Sequence, residues 1–455
     1  MHTFAPKTEK LNIETMKTTL HSLALLTLLV TFTGFANQAS AQRSLSQTMQ
    51  MAANGDCAAQ YDLAIALLFG EGIPQDSAKA MKYFTKSADA GYAPAQLAMG
   101  NAYRDGDGVE KDPAKAVGYF EKAAQQGDAE AMLEAAKLYD NISAGTWDWR
   151  KRDEWFGKAA AAGNEYAQAE VAYRNMSEVG DKAKQQKSLE ELEMMVQKGN
   201  THAMLRLGDA YYMGRYVDES RVQGAKFYLQ AAEAGNVQAM MEIALCYRNG
   251  KGVKMLNKEM AKWYGKAAEA GNPDGMYNYA RCLEAGDGVE KNAEEAMRWY
   301  KKGVANGQSD CMVRIAKGLL TGEGVKKDAP GAIQYLRKAA DLHNGTATTL
   351  LGDCYEKGVG VKLDSKKAME MWALSYEYGN RAGAEKYARG LEDFFTKVMQ
   401  NPNSTEAQQQ EAMEAREKAT DIWHDIVRWH DDAHPLPLKE NPETGDWETD
   451  TTLTY

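Results

Sequence analysis

The chain has 455 residues, with 54 Lys and Arg against 64 Asp and Glu and a formal charge of −10. An acidic body of this kind is poorly suited to neutralising phosphates, so no nucleic-acid partner is expected and adhesion to an anionic membrane surface is disfavoured. With 40 Gly against 10 Pro, and Ala, Tyr and Met plentiful, the composition suits short helices joined by glycine turns.

From Met16 the chain carries a basic start at Lys17, an apolar stretch from Leu23 to Val30 and on to Phe35, and small residues at Ala39-Ser40-Ala41. A short basic end, an apolar middle and an Ala-x-Ala site form the layout of a signal peptide, and the run is too short and too Thr-interrupted for a stable membrane span. The pattern predicts a signal peptide over 1–41 cleaved near Ala41, hence a periplasmic or extracellular mature chain with no integral span. An uncleaved N-terminal anchor is the competing reading, and either Met1 or Met16 can be the start. Cleavage removes three lysines and two glutamates, leaving −11 on the remainder. Residues 42–55 are a lead-in.

The next feature is a period. Gly55, Gly91, Gly127, Gly163, Gly199, Gly235, Gly271, Gly307 and Gly379 are spaced by 36 residues or, once, by twice that, the gap falling on His343. Each unit reads as two helices. Helix A carries a small residue, an aliphatic and an aromatic at steps of four, as in Ala203, Leu207 and Tyr211 or Ala347, Leu351 and Tyr355, which places them on one face. Helix B carries a second stripe, as in Ala116, Phe120 and Ala123 or Ala296, Trp299 and Tyr300. Between them lies Gly-x-Gly-Val or a near copy, at Gly70 and Gly72, Gly106 and Gly108, Gly250 and Gly252, Gly286 and Gly288, Gly322 and Gly324, and Gly358 and Gly360. Gly-x-Gly cradles phosphate when it joins a strand to a helix, but here it follows a helix. It reads as a C-terminal cap and chain reversal, with Asp76, Asp112 and Asp328 as N-caps of helix B. One helix pair cannot bury both of its apolar faces, whereas stacked pairs can, so about nine units form an all-α, right-handed α/α solenoid over 56–390.

The Ala…Leu-Gly…Tyr of helix A (Ala203, Leu207, Gly208, Tyr211), the Gly-x-Gly-Val turn and the Lys-Ala-Ala-x-x-Gly ending (Lys122 to Gly127) resemble the Sel1-like repeat family. The resemblance implies a tetratricopeptide-like solenoid and protein–protein adaptor or scaffold work, often in bacterial signalling, envelope or secretion assemblies. It also implies a concave groove. Residues three, seven and ten positions after each frame glycine face away from the packed stripe and would line that groove: His202, Arg206 and Asp209; Gln238 and Glu242 with Leu245; Asp274, Asn278 and Arg281; Asp310, Arg314 and Lys317. They form either a solvated face or a polar trough for an extended peptide or a helix.

The third and fourth units depart from the pattern, with DNISAGTWDWRKRDE between Tyr139 and Trp155 and a charged connection, SEVGDKAKQQKSLEELE, in the fourth. Either this loosens the stack, or Trp147, Trp149 and Arg150 form a binding knuckle, Trp and Arg being the usual interface anchors. Met132, Met204, Met240, Met276 and Met312 recur at one position beside the core stripe and are assigned to packing between repeats. Of five cysteines, Cys246, Cys282 and Cys354 occupy one equivalent position. Equivalent positions in stacked helices lie about 8–10 Å apart, beyond the roughly 7 Å a disulfide spans, so Cys57, Cys311 and these three read as free buried thiols.

After Phe395 the repeats stop. Residues 391–434 are expected to cap the array, with a helix over 404–430 burying Ile422, Trp423, Ile426 and Val427, and 435–455 are expected to be a disordered acidic tail. His424, His430 and His434 gather near Asp431 and Asp432, but without HExxH they are assigned to a fraying helix end and not to a metal. No Ser-x-x-Lys follows the signal segment, and no nucleophile, base and acid combine. The pattern therefore predicts a non-catalytic, monomeric module without cofactor that binds another protein or a peptide. A binder of peptidoglycan fragments or glycans, or a beta-lactamase-like enzyme, is the alternative.

Overall fold

The computed structural model describes residues 44–176, 181–433, 438–440 and 447–449, so the expected signal peptide and most of the tail lie outside the described residues. The chain is an α/α solenoid, and its helices fall into two bodies, one ending at Leu256 and one beginning at Asn257.

The first body opens with α1 (Leu45–Ala53), in the segment expected only to lead in, capped by a reciprocal Ser44–Gln47 box. Paired helices follow: α2 (Cys57–Phe69) with α3 (Ser77–Asp89), α4 (Ala93–Asp105) with α5 (Pro113–Ala124), α6 (Ala129–Asp140) with α7 (Trp149–Ala161), α8 (Glu165–Asn175) with α9 (Lys182–Gln197), and α10 (Thr201–Met213) with α11 (Arg221–Glu233). The first helix of the sixth repeat, α12 (Val237–Asn249), closes this body. The second body starts with α13 (Asn257–Glu269). It continues with the pairs α14 (Pro273–Ala285) and α15 (Ala293–Ala305), α16 (Ser309–Thr321) and α17 (Ala329–Asp341), and α18 (Gly345–Lys357) and α19 (Ser365–Glu377). A longer pair, α20 (Arg381–Gln400) and α21 (Glu406–Ala433), ends it.

Local chemistry sets each boundary. Asp76, Asp112 and Asp328 accept from the backbone N–H three residues on, as N-caps do, and Asn236, Asn272 and Asn344 cap A helices in the same way. The second loop glycine has a further role. At Gly252, Gly288 and Gly324 a Cβ would overlap the carbonyl oxygen of Arg221, Asn257 and Ala293 respectively. Each loop therefore rests on the first residues of the preceding repeat's helix B, where only glycine fits. Tyr216 holds this position in the fifth repeat, with φ at 66°, a region costly for a bulky side chain.

The core is the pair of stripes expected. Phe120, Tyr228, Tyr264, Tyr300 and Trp263 are almost wholly buried against alanines that are fully covered, such as Ala123, Ala231 and Ala267. Burial of one such ring contributes about 2–3 kcal/mol. Met240, Met276 and Met312 are buried and Met132 and Met204 half-buried, consistent with packing between repeats. All five cysteines are free, four of them buried and Cys57 half-buried. In the final pair Ile422 and Ile426 are buried and Trp423 half-buried, but Val427 is exposed: α21 turns this residue away from α20. In the tail expected to be disordered, Leu438–Glu440 pairs antiparallel with Trp447–Thr449. Among the described residues no helix is long and apolar enough to cross a membrane.

Candidate interaction face

The A helices of the third, fourth and fifth repeats, α6, α8 and α10, carry a connected polar cluster. Its centre is Glu170, 2% exposed. One carboxylate oxygen contacts His202 Nε2 and Arg206 Nε, each at 2.6 Å, and the other lies 3.5 Å from Arg174 Nε. Arg206 also donates to Asp209 at 2.8 Å, and Asp209 accepts from the Tyr228 hydroxyl of α11 at 2.9 Å. The imidazole of His202 stacks on Tyr166, with ring centroids 3.7 Å apart, and the ammonium of Lys137 sits 4.9 Å from the same tyrosine ring.

Burial pushes the Glu170 carboxyl up. The hydrogen bond from His202 and the Arg206 charge outweigh it and hold the pKa at about 2. Burial, with the neighbouring Arg206 charge, lowers the His202 pKa against the pull of Glu170, so the imidazole is neutral at pH 7 and donates through Nε2. Burial first, then the Glu170 charge, raises the Tyr166 hydroxyl to about 12. The cluster thus holds one buried carboxylate matched by a guanidinium, with its hydrogen bonds made between successive repeats.

Beside it opens a cleft of about 360 Å³ lined by Lys137, Asp140, Asn141, Ile142, Phe156, Tyr166, Glu170 and Arg206. Asp140 on its rim accepts from Arg152 at 3.1 Å and Arg174 at 2.9 Å. The irregular turn of the third repeat supplies the opposite wall. A 3-10 turn over Ile142–Ala144 ends at Gly145, and the side chain of Asn141 accepts from Ala144 N–H at 3.2 Å. Trp147 and Trp149 stand out from this turn at 52% and 49% exposure, and the Arg150 guanidinium lies 5.1 Å from the Trp149 ring.

The expected groove residues are therefore not equivalent. His202 was expected to face away from the packed stripe, but it is buried between Tyr166 and Glu170, because the fourth repeat places an aromatic and a carboxylate where they can enclose it. Arg206 and Asp209 are half-buried partners of the same cluster. In the sixth repeat Gln238 is exposed, and Glu242 is half-buried with a pKa raised by burial and then by Asp209. In the second body Asp274 accepts from Gln308 at 2.6 Å and Asp310 from Asn344 at 2.8 Å, while Asn278 donates to the carbonyl of Asp274. Arg314 lies 3.3 Å from Glu284, Arg281 lies 5.7 Å from the Tyr277 ring, and Lys317 is exposed. Asp274, Asp310 and Arg314 thus reach across to residues 30 to 34 positions away, whereas Asn278 and Arg281 contact their own helix, and none of them lines the cleft described above.

The expected set omits Glu134, Lys137, Tyr166 and Glu170. They stand at the same offsets from Gly127 and Gly163, so the period identifies them once the irregular repeats are counted with the rest. Among the described residues no group of His, Cys, Asp and Glu side chains is placed to hold a metal ion; the His430 side chain and His434 lie outside what is described.

The Sel1 repeat family model matches residues 57–92, 93–128, 154–164, 201–236, 237–272, 273–308, 309–344 and 346–380. A Sel1 repeat protein from Oxalobacter formigenes is 27% identical over 50% of this chain and 93% of its own, with a TM-score of 0.43. A protective antigen of uropathogenic Escherichia coli strains, displaying an SLR fold, is 23% identical over 89% of this chain and 100% of its own, with a TM-score of 0.38. Yeast Tom70 is 13% identical over 81% of this chain and 85% of its own, with a TM-score of 0.31. No curated protein matches. The matched repeats cover more than half of the residues, and the gap between the second and third matches falls on the turn that walls the cleft: the chain belongs to the Sel1 repeat family.

Proposed function

We propose that this protein is a non-catalytic interaction module of the bacterial cell envelope, exported by the signal peptide over 1–41, which holds a protein or peptide partner against the third to fifth repeats. Sel1 and tetratricopeptide-like solenoids are protein–protein interaction scaffolds, so the class of function follows from the family. The location follows from one observation. The polar face of α6, α8 and α10 and, from the irregular turn after α6, Asn141 and Ile142 line the same cleft, which supports a single site there; Trp147, Trp149 and Arg150 follow this turn in the chain without lining the cleft itself. The cluster around Glu170 fixes the floor, because each of its charges already has a partner and a ligand meets a preorganised wall. The groove side chains Gln238, Glu242, Asp274, Asn278, Arg281, Asp310, Arg314 and Lys317 then belong to solvated or structural faces.

The test is photo-crosslinking in cells, with a photoreactive residue at Ile142 and, as control, at Leu363, an exposed loop residue of the second body. A discrete protein adduct from position 142 and none from 363 is expected. Absence of any adduct at 142, or the same adducts from both positions, overturns the assignment. Recovery of the protein in the cytoplasmic fraction with residues 1–41 intact would overturn the export reading.

A further inference from the structure

From the exposed knuckle of the third repeat we infer the chemistry of the partner: Ile142, Trp147, Trp149 and Arg150 receive a polypeptide segment that carries a carboxylate beside large apolar side chains. The inference rests on the interaction reading above and narrows it.

Three observations carry it. The first is that the knuckle is ordered by its own hydrogen bonds yet exposes its apolar side chains. The Thr146 hydroxyl donates to the Leu138 carbonyl at 2.6 Å, Asp148 N–H to the Tyr139 carbonyl at 3.1 Å, and the Asp148 carboxylate accepts from Arg150 and Lys151 N–H at 3.0 and 3.2 Å. Even so, Ile142 is 75% exposed, and both tryptophans are about half exposed. Large apolar side chains held rigidly in water lose little entropy when covered, which is the character of an interface anchor.

The second observation is electrostatic. The first turn of α7 reads Trp149-Arg150-Lys151-Arg152 and has no acidic residue, although the helix dipole favours anions there. Lys151 is matched by Glu121 at 3.2 Å, and Arg152 by Asp140 and Asp153 at 3.1 and 2.8 Å. Arg150 is exposed, and among the described residues no carboxylate pairs with it. The Asp148 carboxylate already caps this helix end, and the exposed Arg150 guanidinium next to it makes no ion pair among the described residues, so an anionic group on a partner complements it.

The third observation bears on the choice between a polypeptide and a sugar. A glycan stacks on an open indole face; the Arg150 guanidinium, 5.1 Å from the Trp149 ring, covers one face of that ring, whereas Trp147 carries no such cover among the described residues, so the sugar is kept as an arm of the test. The same arrangement sets an exposed guanidinium, able to donate to a carboxylate, beside an exposed indole that an apolar side chain can cover.

The experiment uses three probes on the purified protein: a fluorescein-labelled peptide alternating aspartate with leucine and phenylalanine, the same peptide with every aspartate replaced by lysine, and an N-acetylglucosamine tetramer read by tryptophan fluorescence. The acidic peptide is expected to bind, and the lysine peptide to bind at least about tenfold more weakly. Trp147→Ala with Trp149→Ala is expected to weaken the acidic peptide roughly thirtyfold, the scale of an interfacial hot spot. Arg150→Glu is expected to reverse the preference between the peptides, which a merely structural role would not do. All three side chains are exposed, and unchanged circular dichroism melting shows that the variants fold. Equal binding of both peptides, no binding of either, or saturable binding of the sugar alone overturns the inference. If crosslinking at position 142 recovers a protein while the acidic peptide fails to bind, the partner chemistry is wrong and the interaction reading stands. If crosslinking finds no partner, the interaction reading itself falls.

Discussion

Replacing Gly288 by alanine isolates what holds successive repeats together, because Gly271 supplies a matched control. Both glycines have positive φ, +77° and +90°, so both substitutions place an L-residue in the left-handed region at about 1–2 kcal/mol. Each recovers roughly 0.4–1 kcal/mol through the unfolded chain. At Gly271 nothing lies within 4 Å of the added Cβ, so Gly271→Ala is expected to cost about 1 kcal/mol net. At Gly288 the Cβ would overlap the carbonyl of Asn257, and backbone atoms cannot withdraw as a side chain can. The loop over 286–292 must lift off the start of α13, an overpacking cost of about 1–3 kcal/mol, giving roughly 3 kcal/mol in total. A repeat array need not unfold in one step, so the assay is hydrogen exchange read locally by mass spectrometry, with urea unfolding beside it. Gly288→Ala is expected to raise exchange in the loop and the first turns of α13, and Gly271→Ala is not. Equal effects from the two substitutions would refute the idea that this glycine is required by contact between repeats.

Other outcomes follow from the same geometry. Tyr216→Gly is expected to keep the first body within about 1 kcal/mol of the parent in urea unfolding. Relief of a tyrosine at φ 66°, about 1–2 kcal/mol, is offset by roughly 0.4–1 kcal/mol of added freedom in the unfolded chain and by loss of a partly covered ring that meets Tyr173 edge-on at 6.3 Å between centroids. Acid is expected to loosen the junction of α8 and α10 in two stages. The folded His202 pKa lies below its ordinary value of 6.5, so its contribution is complete above that pH and declines as pH falls below it. The folded Glu170 pKa is about 2 against an ordinary 4.5, so its contribution of about 3 kcal/mol is complete above pH 4.5 and is lost as pH falls toward 2. Glu170→Gln should flatten the lower stage of a stability–pH profile, and a profile identical to the parent's would contradict the assignment. Native thiol titration at pH 8 is expected to modify at most Cys57 readily. Burial raises the thiol pKa of Cys246 to about 11 and of Cys311 to about 12, and Cys354 is raised by the same cause.

The helix pairs were legible because the period repeats the same local chemistry many times: a glycine at or just after most helix ends, an Asp or Asn at most starts, and alanines where helices touch. The second loop glycine was legible as a turn residue but not as a contact, since the carbonyl it abuts belongs to the preceding repeat and leaves no mark on the loop's own sequence. The same limit explains His202. Its offset placed it on the polar face, and its burial depends on Tyr166 and Glu170 one repeat earlier, in units that looked degenerate because their loop motif is missing. Degeneracy of the loop and degeneracy of the A-helix face are separate properties, and only the loop is lost here.

That separation bears on why the irregular repeats are where they are. In the sixth to ninth repeats a glycine, Gly252, Gly288, Gly324 or Gly360, lets the loop rest on the backbone of the previous helix B. At the junction of the fourth and fifth repeats the glycine position is Tyr216, and Glu170 bonded to His202 and Arg206 ties α8 to α10 directly. A buried charged cluster is a weak source of stability, since desolvation offsets much of the attraction, but it fixes one relative placement of the helices that carry it. Those helices floor the cleft whose other wall is the rebuilt third turn. Relaxing the loop rule in two consecutive repeats thus gives room for a protruding turn, and the polar cluster keeps the surface beneath it rigid. If the cluster served stability alone, Glu170→Leu with His202→Phe and Arg206→Met would leave partner binding intact whenever the fold survives. The expected outcome is a folded protein with weakened crosslinking from position 142.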